Sequence, residues 1–282
     1  MISLFFSLML TTGIAHATLH ELQSAPSATG GLATLDVAGK RALLRSLAIE
    51  ANQPANFRPD QLITLEQALT DDDMETKRLA FASVSKLAMV GSVAKKSPNS
   101  VVLAADPAKR PAILRIALQG LSDSDPYVRI ASLNILVAVG PLQMSDELRA
   151  ALITRYSIEP EPSVRRQIVA RLGDHTNGGL DVQELLVAAL DDASAEVRQQ
   201  AAIATATFRP AAALSRLVER LESDKELDND ATRHSFVVAV SAFGRDAIRY
   251  LPLLRQLRIK EGSEIVRHEL DRAIKILDDF ER

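Results

Sequence analysis

Histidine binds metals more often than any other residue type, and two histidines of this chain stand in equivalent sequence positions. His234 and His268 each follow an arginine and are 34 residues apart. Equivalent positions on neighbouring packed helices lie about 10 Å apart, which is too far for two side chains to share one ion. The chain has no cysteine, so a thiolate site is excluded too. The sequence therefore predicts no metal site and no cofactor.

Nucleophilic and phosphate-binding chemistry is suggested by two short stretches. In SVSK, Ser83 stands three residues before Lys86, the spacing of the serine nucleophile in penicillin-recognising enzymes, but the companion Ser-Asp-Asn and Lys-Thr-Gly elements are absent. In TLDVAGKR, Gly39-Lys40 lacks the earlier glycine and the final hydroxyl residue of a phosphate loop. We therefore predict no catalytic residue.

Carboxylates also cluster in short acidic stretches. DKELDND, residues 224 to 230, has them at alternating positions as a calcium loop does, but places Asn229 where glycine is expected and Ser235 where a bidentate glutamate is expected. Such stretches either cap helices or form an acidic ridge that attracts a basic partner. The other members of this set are Asp71, Asp72, Asp73, Asp123, Asp125, Asp191 and Asp192.

Composition limits the classes of partner. Of the 282 residues, 47% are hydrophobic and 24% charged, which is enough apolar material for a sizeable core. The net charge of −3 provides no field that would attract nucleic acid, and the aromatic content of 4% leaves few rings to stack on bases or sugars. A protein or peptide partner is expected, and no nucleic acid.

The first residues, MISLFFSLMLTTGIAHA, have the pattern of a signal peptide. An uncharged apolar run extends from Ile2 to Ile14, and Ala15-His16-Ala17 supplies a small-x-small cleavage site, although no Lys or Arg precedes the run. We predict a signal peptide over 1–17, a flexible segment over 18–31, and export to a bacterial periplasm without an integral membrane segment after cleavage. An uncleaved membrane anchor and an ordinary first helix are the alternatives.

The remainder of the chain repeats itself. Successive copies are separated by 36, 33, 35 and 34 residues, and a degenerate copy at Thr76-Lys77 stands 52 residues before Val128. A fixed period in this range is typical of stacked repeats. The copies are aligned on Val128-Arg129, Val164-Arg165, Val197-Arg198, Thr232-Arg233 and Val266-Arg267.

Each copy shows the same order of elements. An apolar stretch with helical spacing is followed by an acidic or proline-containing turn such as Asp125-Pro126, which is a good helix start, and then by a second helix that carries the Val-Arg pair. Such helix pairs bury their apolar faces by stacking. The sequence therefore predicts an all-α, right-handed α-solenoid of about five to six helix pairs over 32–282, with residues 35–51 adding a capping helix or half repeat.

The pattern D-x-D-x-x-V-R-x-x-A, followed by a Gly or Pro stop, resembles HEAT repeats, particularly the short units of bacterial proteins and phycobilin lyases. The resemblance covers about residues 58 to 282 and implies a ladder between adjacent repeats, formed by the acidic residue of each turn and the arginine after it. Glu161, Thr76-Lys77 and Thr232 depart from the pattern, which implies less regular packing in the first and fifth copies, those of Thr76 and Thr232. The implied ladder residues are Asp125, Arg129, Arg165, Asp192, Arg198, Asp230, Arg233 and Arg267.

One step of the repeat is longer than the others. The step from Thr76 to Val128 exceeds a period of about 34 by about 18 residues, which indicates an insertion at about 92–110. Long loops on rigid scaffolds often bind partners. A solvated connector and a decayed repeat are the alternatives. The insertion is basic, and its candidate partner-binding residues are Lys95, Lys96, Lys109 and Arg110.

These observations favour an exported, non-catalytic scaffold that binds a protein or peptide partner along its concave face. The resemblance to lyases that handle a tetrapyrrole implies an alternative, an enzyme or enzyme accessory. A structural spacer in an envelope complex is a third possibility.

Overall fold

The computed structural model describes residues 32–51, 58–93, 110–139, 146–174, 179–223 and 229–281. Several predictions concern residues outside these ranges. They are those on the signal peptide at 1–17, the segment 18–31, His20, His175, Lys95, Lys96, Lys109 and the acidic residues at 224–228.

All regular elements of the described residues are helical, which confirms the all-α class. Short 3-10 helices occupy Leu32–Thr34 and Gly244–Tyr250. The α-helices are α1 (Val37–Glu50), α2 (Pro59–Ala68), α3 (Met74–Val93), α4 (Arg110–Gly120), α5 (Pro126–Val139), α6 (Asp146–Ile158), α7 (Pro162–Gly173), α8 (Leu180–Ala189), α9 (Ala195–Phe208), α10 (Ala211–Glu222), α11 (Asp230–Ala242), α12 (Leu251–Lys260) and α13 (Glu264–Glu281).

The helices form two compact units, Met1–Gly140 and Pro141–Arg282. In the first unit α2 packs on α3 and α4 on α5, while α1, α3 and α5 stack side by side. In the second unit α6, α8, α10 and α12 pack on α7, α9, α11 and α13 respectively, and the latter four stack in order. The described residues thus form six helix pairs of the α-solenoid class, as the repeat predicts. We call the two members of each pair the first and the second helix.

The second helices bury the position at the start of the Val-Arg pair. Val128, Val164 and Val197 are 0% exposed, and so are the threonines that replace valine, Thr76 and Thr232. The Thr76 hydroxyl donates to Asp73 Oδ2 at 2.6 Å and the Thr232 hydroxyl to the Ala195 carbonyl at 3.3 Å. Both substituted repeats therefore keep this position in the core, because each hydroxyl has an acceptor.

Neighbouring second helices approach closely. A Cβ atom on Gly173, at the end of α7, would lie 2.6 Å from that of Ala204 in α9. The alanines of α9 at positions 201, 202 and 204 are buried as well. Small side chains allow the backbones of α7 and α9 to come together, so this layer forms the continuous core of the second unit.

Local signals account for the helix ends. Asp125 accepts a hydrogen bond from the Tyr127 amide and precedes Pro126, where α5 begins. At the end of α9, Arg209 takes a left-handed conformation with φ of 51°, and Pro210 then prevents continuation of the helix.

The predicted additional helix at 35–51 is α1. Asp36 caps it by accepting a 2.7 Å hydrogen bond from the Gly39 amide. Because α1 stacks on α3 without a first helix of its own among the described residues, it acts as a half repeat.

In the part of the chain that the structure describes, no helix combines the length and apolar character needed to cross a bilayer.

Candidate partner-binding site

Five of the turns between first and second helices are organised by a carboxylate that stands five residues before the buried Val or Thr position. In each, this carboxylate accepts a hydrogen bond of 2.8 to 2.9 Å from the backbone amide two residues later. Such a bond fixes the turn that leads into the second helix. We call these residues the turn carboxylates; they are Asp71, Asp123, Glu159, Asp192 and Glu261.

The arginine of the Val-Arg pair binds the backbone carbonyl groups of the same turn. Arg129, Arg165 and Arg198 each donate from Nη1 to two carbonyl oxygens of the turn before their own helix, at 2.8 to 3.1 Å. These carbonyls stand four and five residues before the valine. Each arginine thereby ties the start of a second helix to its turn.

Four of the five turn carboxylates also bind a cation from the preceding second helix, whereas Glu159 accepts from Arg155 of its own first helix at 2.7 Å. Arg165 donates two hydrogen bonds of 2.8 Å to Asp192, and Arg233 donates two, of 3.1 and 2.9 Å, to Glu261. In the first unit lysines do the same, with Lys40 at 2.6 Å from Asp71 and Lys77 at 3.4 Å from Asp123. One carboxylate thus joins a turn to the neighbouring repeat.

The first unit has a second set of such ion pairs. Arg78 donates to Asp125 at 2.6 and 3.3 Å, and Arg41 donates through Nε to Asp73 at 2.9 Å. Hydrogen bonds from Arg41 and Thr76 hold the pKa of Asp73 well below its usual range. Asp73 and Asp125 are consequently engaged within the fold.

The predicted ladder residues have different roles. Asp192 pairs with Arg165 of the preceding repeat, whereas Asp230 accepts from Arg233 of its own helix at 2.7 Å and from the Ser263 hydroxyl at 2.6 Å. Arg267 is exposed on α13, the last described helix. Sequence reasoning missed Asp71, Asp123, Glu159 and Glu261 as the recurring set; their constant distance from the buried position is the signal that could have found them.

Asp192 accepts hydrogen bonds from three different residues. Burial raises the pKa of this carboxyl, but the bonds from Arg165, the Ser194 amide and the Tyr156 hydroxyl outweigh burial and lower it overall. Tyr156 donates to Asp192 Oδ2 at 3.0 Å, and burial together with the negative charge of Asp192 raises the pKa of the phenol. Since Tyr156 belongs to α6, Asp192 connects a first helix, a second helix and a turn.

The side chains considered for catalysis are engaged structurally. Ser83 is fully buried and donates to the Leu79 carbonyl at 2.8 Å. Lys86 donates to the Ala48 carbonyl of α1 at 3.0 Å, and burial lowers the pKa of its ammonium group. The two groups therefore do not form a nucleophile and base pair.

The two equivalent histidines lie on the second helices of the last two repeats. His234 Nε2 lies 3.5 Å from the buried carboxylate of Glu269, and His268 is exposed on α13. Among the described residues, no group of three or more His, Cys, Asp or Glu side chains is placed to hold a metal ion.

An open groove lies between α8 and α10, which are the first helices of neighbouring repeats. It encloses about 650 Å³, within the range of ligand-binding clefts. Leu180 at one end is 70% exposed. We call this surface the α8–α10 groove; its lining residues are Leu180, Gln183, Glu184, Val187, Ala188, Asp191, Pro210, Ala211, Ala212, Ser215, Arg216 and Glu219.

The groove exists because small side chains face it. On α10, Ala211, Ala212 and Ser215 line it, while the larger apolar residues of that helix, such as Leu214 and Leu217, are buried against the core. Each first helix is held mainly by its own second helix, so the space between α8 and α10 is left unfilled. Its walls are therefore apolar and shallow.

Charged side chains border the groove. Arg216 joins α10 to the turn that follows α8 by donating through Nε to Asp191 at 2.6 Å, and it also pairs with Glu219 of its own helix. Glu184 is exposed on α8 and makes no ion pair with the described residues. Three carboxylates and one guanidinium line the groove, so its border is acidic.

Comparison with protein-family models matches residues 151–228 to HEAT repeats. Over these residues the chain is similar to HEAT repeats. The matched region extends from α6 through α10 and includes both the Asp192 contacts and the α8–α10 groove. None of the curated proteins compared with this sequence matches it.

Several solved structures share the fold of this chain at low sequence identity. Kap121p bound to Nup53p is 17% identical with a TM-score of 0.57, and the match covers 97% of this chain and 29% of Kap121p. A mutant Kap121p is 15% identical, with a TM-score of 0.54 and coverage of 95% and 29%. An engineered protein is 17% identical, with a TM-score of 0.51 and coverage of 88% and 66%. At these identities the likeness extends to the fold alone.

We predict that Asp192→Asn destabilises the protein by about 3 kcal/mol at pH 7, because Arg165 loses its buried counter-charge. The folded pKa of Asp192 is lowered, so its contribution is present above the unfolded pKa of about 4 and is lost as the pH falls through the folded value. Urea unfolding of both proteins between pH 7 and pH 2 measures this.

Asp271→Asn is the matched control, since Asp271 pairs with Arg258 at 2.8 Å on the exposed surface. It should cost much less than Asp192→Asn. Equal losses for the two variants, or a gap between wild type and Asp192→Asn that does not narrow in acid, would contradict the assignment.

Proposed function

We propose that the chain is a non-catalytic, exported HEAT-repeat scaffold that binds a protein or peptide partner in the cell envelope, and that the α8–α10 groove is its main contact. The observation that carries this proposal is an uncovered apolar groove on a repeat scaffold. Clefts that bind ligands have mainly apolar walls with a few polar groups that fix the orientation of the ligand, and this groove has that arrangement.

Two further features support a binding role over a chemical one. The titratable side chains of the turns are committed to ion pairs that hold the repeats together, as with Asp192 and Arg165. The walls of the groove carry alanine, leucine, valine and proline side chains together with the uncharged polar Gln183 and Ser215, and the charged residues stand at its border. A surface of this kind excludes water from an apolar partner segment.

The basic segment at 92–110 is proposed as a second contact. Its residues Lys95, Lys96 and Lys109 lie outside the described residues, and Arg110 begins α4. Four cations within a short stretch of a chain with net charge −3 would bind an acidic part of the partner.

A photocrosslinking amino acid placed at Ser215, in the groove, should form a discrete adduct with one protein in source cells. The same amino acid at Glu222, which is exposed on α10 but does not line the groove, is the control and should form none. A third position, Lys96, tests the basic segment. Denaturing electrophoresis and mass spectrometry identify the adducts.

Equal adducts at Ser215 and Glu222 would show that the groove has no special role. An adduct at Lys96 alone would move the main contact to the basic segment. No adduct at any position would overturn the scaffold proposal and favour a structural spacer.

Export is tested by the amino terminus of the protein isolated from source cells. Cleavage after Ala17 should leave Thr18 as the first residue in the envelope fraction, since Ala15 and Ala17 supply the small side chains that signal peptidase requires. An intact Met1 in the soluble cytoplasmic fraction would contradict export.

A further inference from the structure

The α8–α10 groove is walled by two helices that each present one stripe of residues. On α8 the lining positions follow at steps of three and four from Leu180 through Glu184 to Val187, and on α10 from Ala211 through Ser215 to Glu219. These steps place the members of each stripe on a single helix face. The groove therefore runs along the helices, and its geometry suits a third helix laid beside them.

The size of the walls limits the length of the occupant. Helix α8 has 10 residues, which corresponds to about 15 Å at 1.5 Å per residue. A helix of about three turns would cover this length and would present apolar residues at positions i, i+3 or i+4, and i+7. Large side chains are required on that face, because Ala188, Ala211 and Ala212 leave space unfilled.

The charge at the border of the α8–α10 groove determines which residues can flank the apolar face of a bound helix. Arg216 is already compensated by Asp191 and Glu219, and hydrogen bonds to those two carboxylates raise its pKa. The remaining carboxylate, Glu184, is exposed beside the apolar wall. The lining residues carry three carboxylates and one guanidinium, and the guanidinium of Arg220 lies 3.9 Å from Asp191, which leaves a net charge of −1 at this border. A partner with acidic flanks would be repelled, and one with basic flanks would be attracted.

We propose that the partner segment in the α8–α10 groove is an amphipathic helix of about three turns, with a leucine- or phenylalanine-type face flanked by lysine or arginine. This inference rests on the proposed function and adds the chemistry of the partner. Apolar contact with Leu180 and Val187 supplies most of the affinity, and Glu184 and Glu219 orient the helix.

The test uses fluorescence anisotropy with two labelled amphipathic helical peptides that share one leucine stripe. One carries lysine on the flanking positions, and the other carries glutamate there. The lysine peptide should bind the full chain at least about tenfold more tightly than the glutamate peptide at low salt, and this difference should shrink in high salt.

Two variants in which an exposed alanine is replaced by tryptophan locate the binding surface. Ala212→Trp fills the groove from an exposed position and should weaken lysine-peptide binding at least about tenfold. Ala38→Trp, at an exposed alanine of α1, is the matched control and should leave binding unchanged. Glu184→Gln should reduce the preference for the lysine peptide without unfolding the chain, because Glu184 pairs with no described residue.

The outcomes separate this inference from the proposed function. Equal binding of both peptides, abolished by Ala212→Trp, would overturn the charge assignment while leaving the groove as a peptide site. Binding that survives Ala212→Trp, or the absence of binding by either peptide, would overturn the inference; the crosslink at Ser215 then decides separately whether the groove has a partner.

Discussion

The second helices depend on one recurring contact, in which a turn carboxylate is shared between its own turn and a cation from the preceding repeat. Asp192 shows it most completely, since it accepts hydrogen bonds from Ser194 of its turn, Arg165 of α7 and Tyr156 of α6. A carboxylate taken out of water is stabilised only if its oxygens are well supplied with donors. Because the donors come from three elements, the charge can be satisfied in only one relative placement of the repeats.

The first and second helices have different structural roles, and this difference explains where the binding surface lies. The second helices carry the buried valines, the alanine contacts and the ion pairs, so they set the spacing within each unit. Each first helix packs on the second helix of its own pair, so neighbouring first helices need not pack tightly against one another. On α8 and α10 this freedom is used to present small residues, and the α8–α10 groove results.

Much of the fold follows from the sequence, because a buried position and a turn recur at a nearly constant period. The alignment on Val128, Val164 and Val197 predicts the second helices, and the stretch at 35–51 predicts α1. The turn carboxylates were harder to recognise, because the residue type at this position varies between repeats. It is aspartate in some repeats and glutamate in two of them, Glu159 and Glu261, and the cation that pairs with it is a lysine, Lys40, in the first. The groove has no comparable signal, because exposed Ala211 and Ala212 and buried Ala213 are alike as sequence.

A double-mutant cycle on Arg165 and Asp192 tests most directly whether the shared carboxylate holds neighbouring repeats together. The free energy of unfolding would be measured for wild type, Arg165→Met, Asp192→Asn and the double variant at pH 7. The account predicts a coupling energy of about 2 kcal/mol, in the range found for residues of one buried network. A coupling energy below about 0.5 kcal/mol, as for an ordinary surface pair, would contradict it.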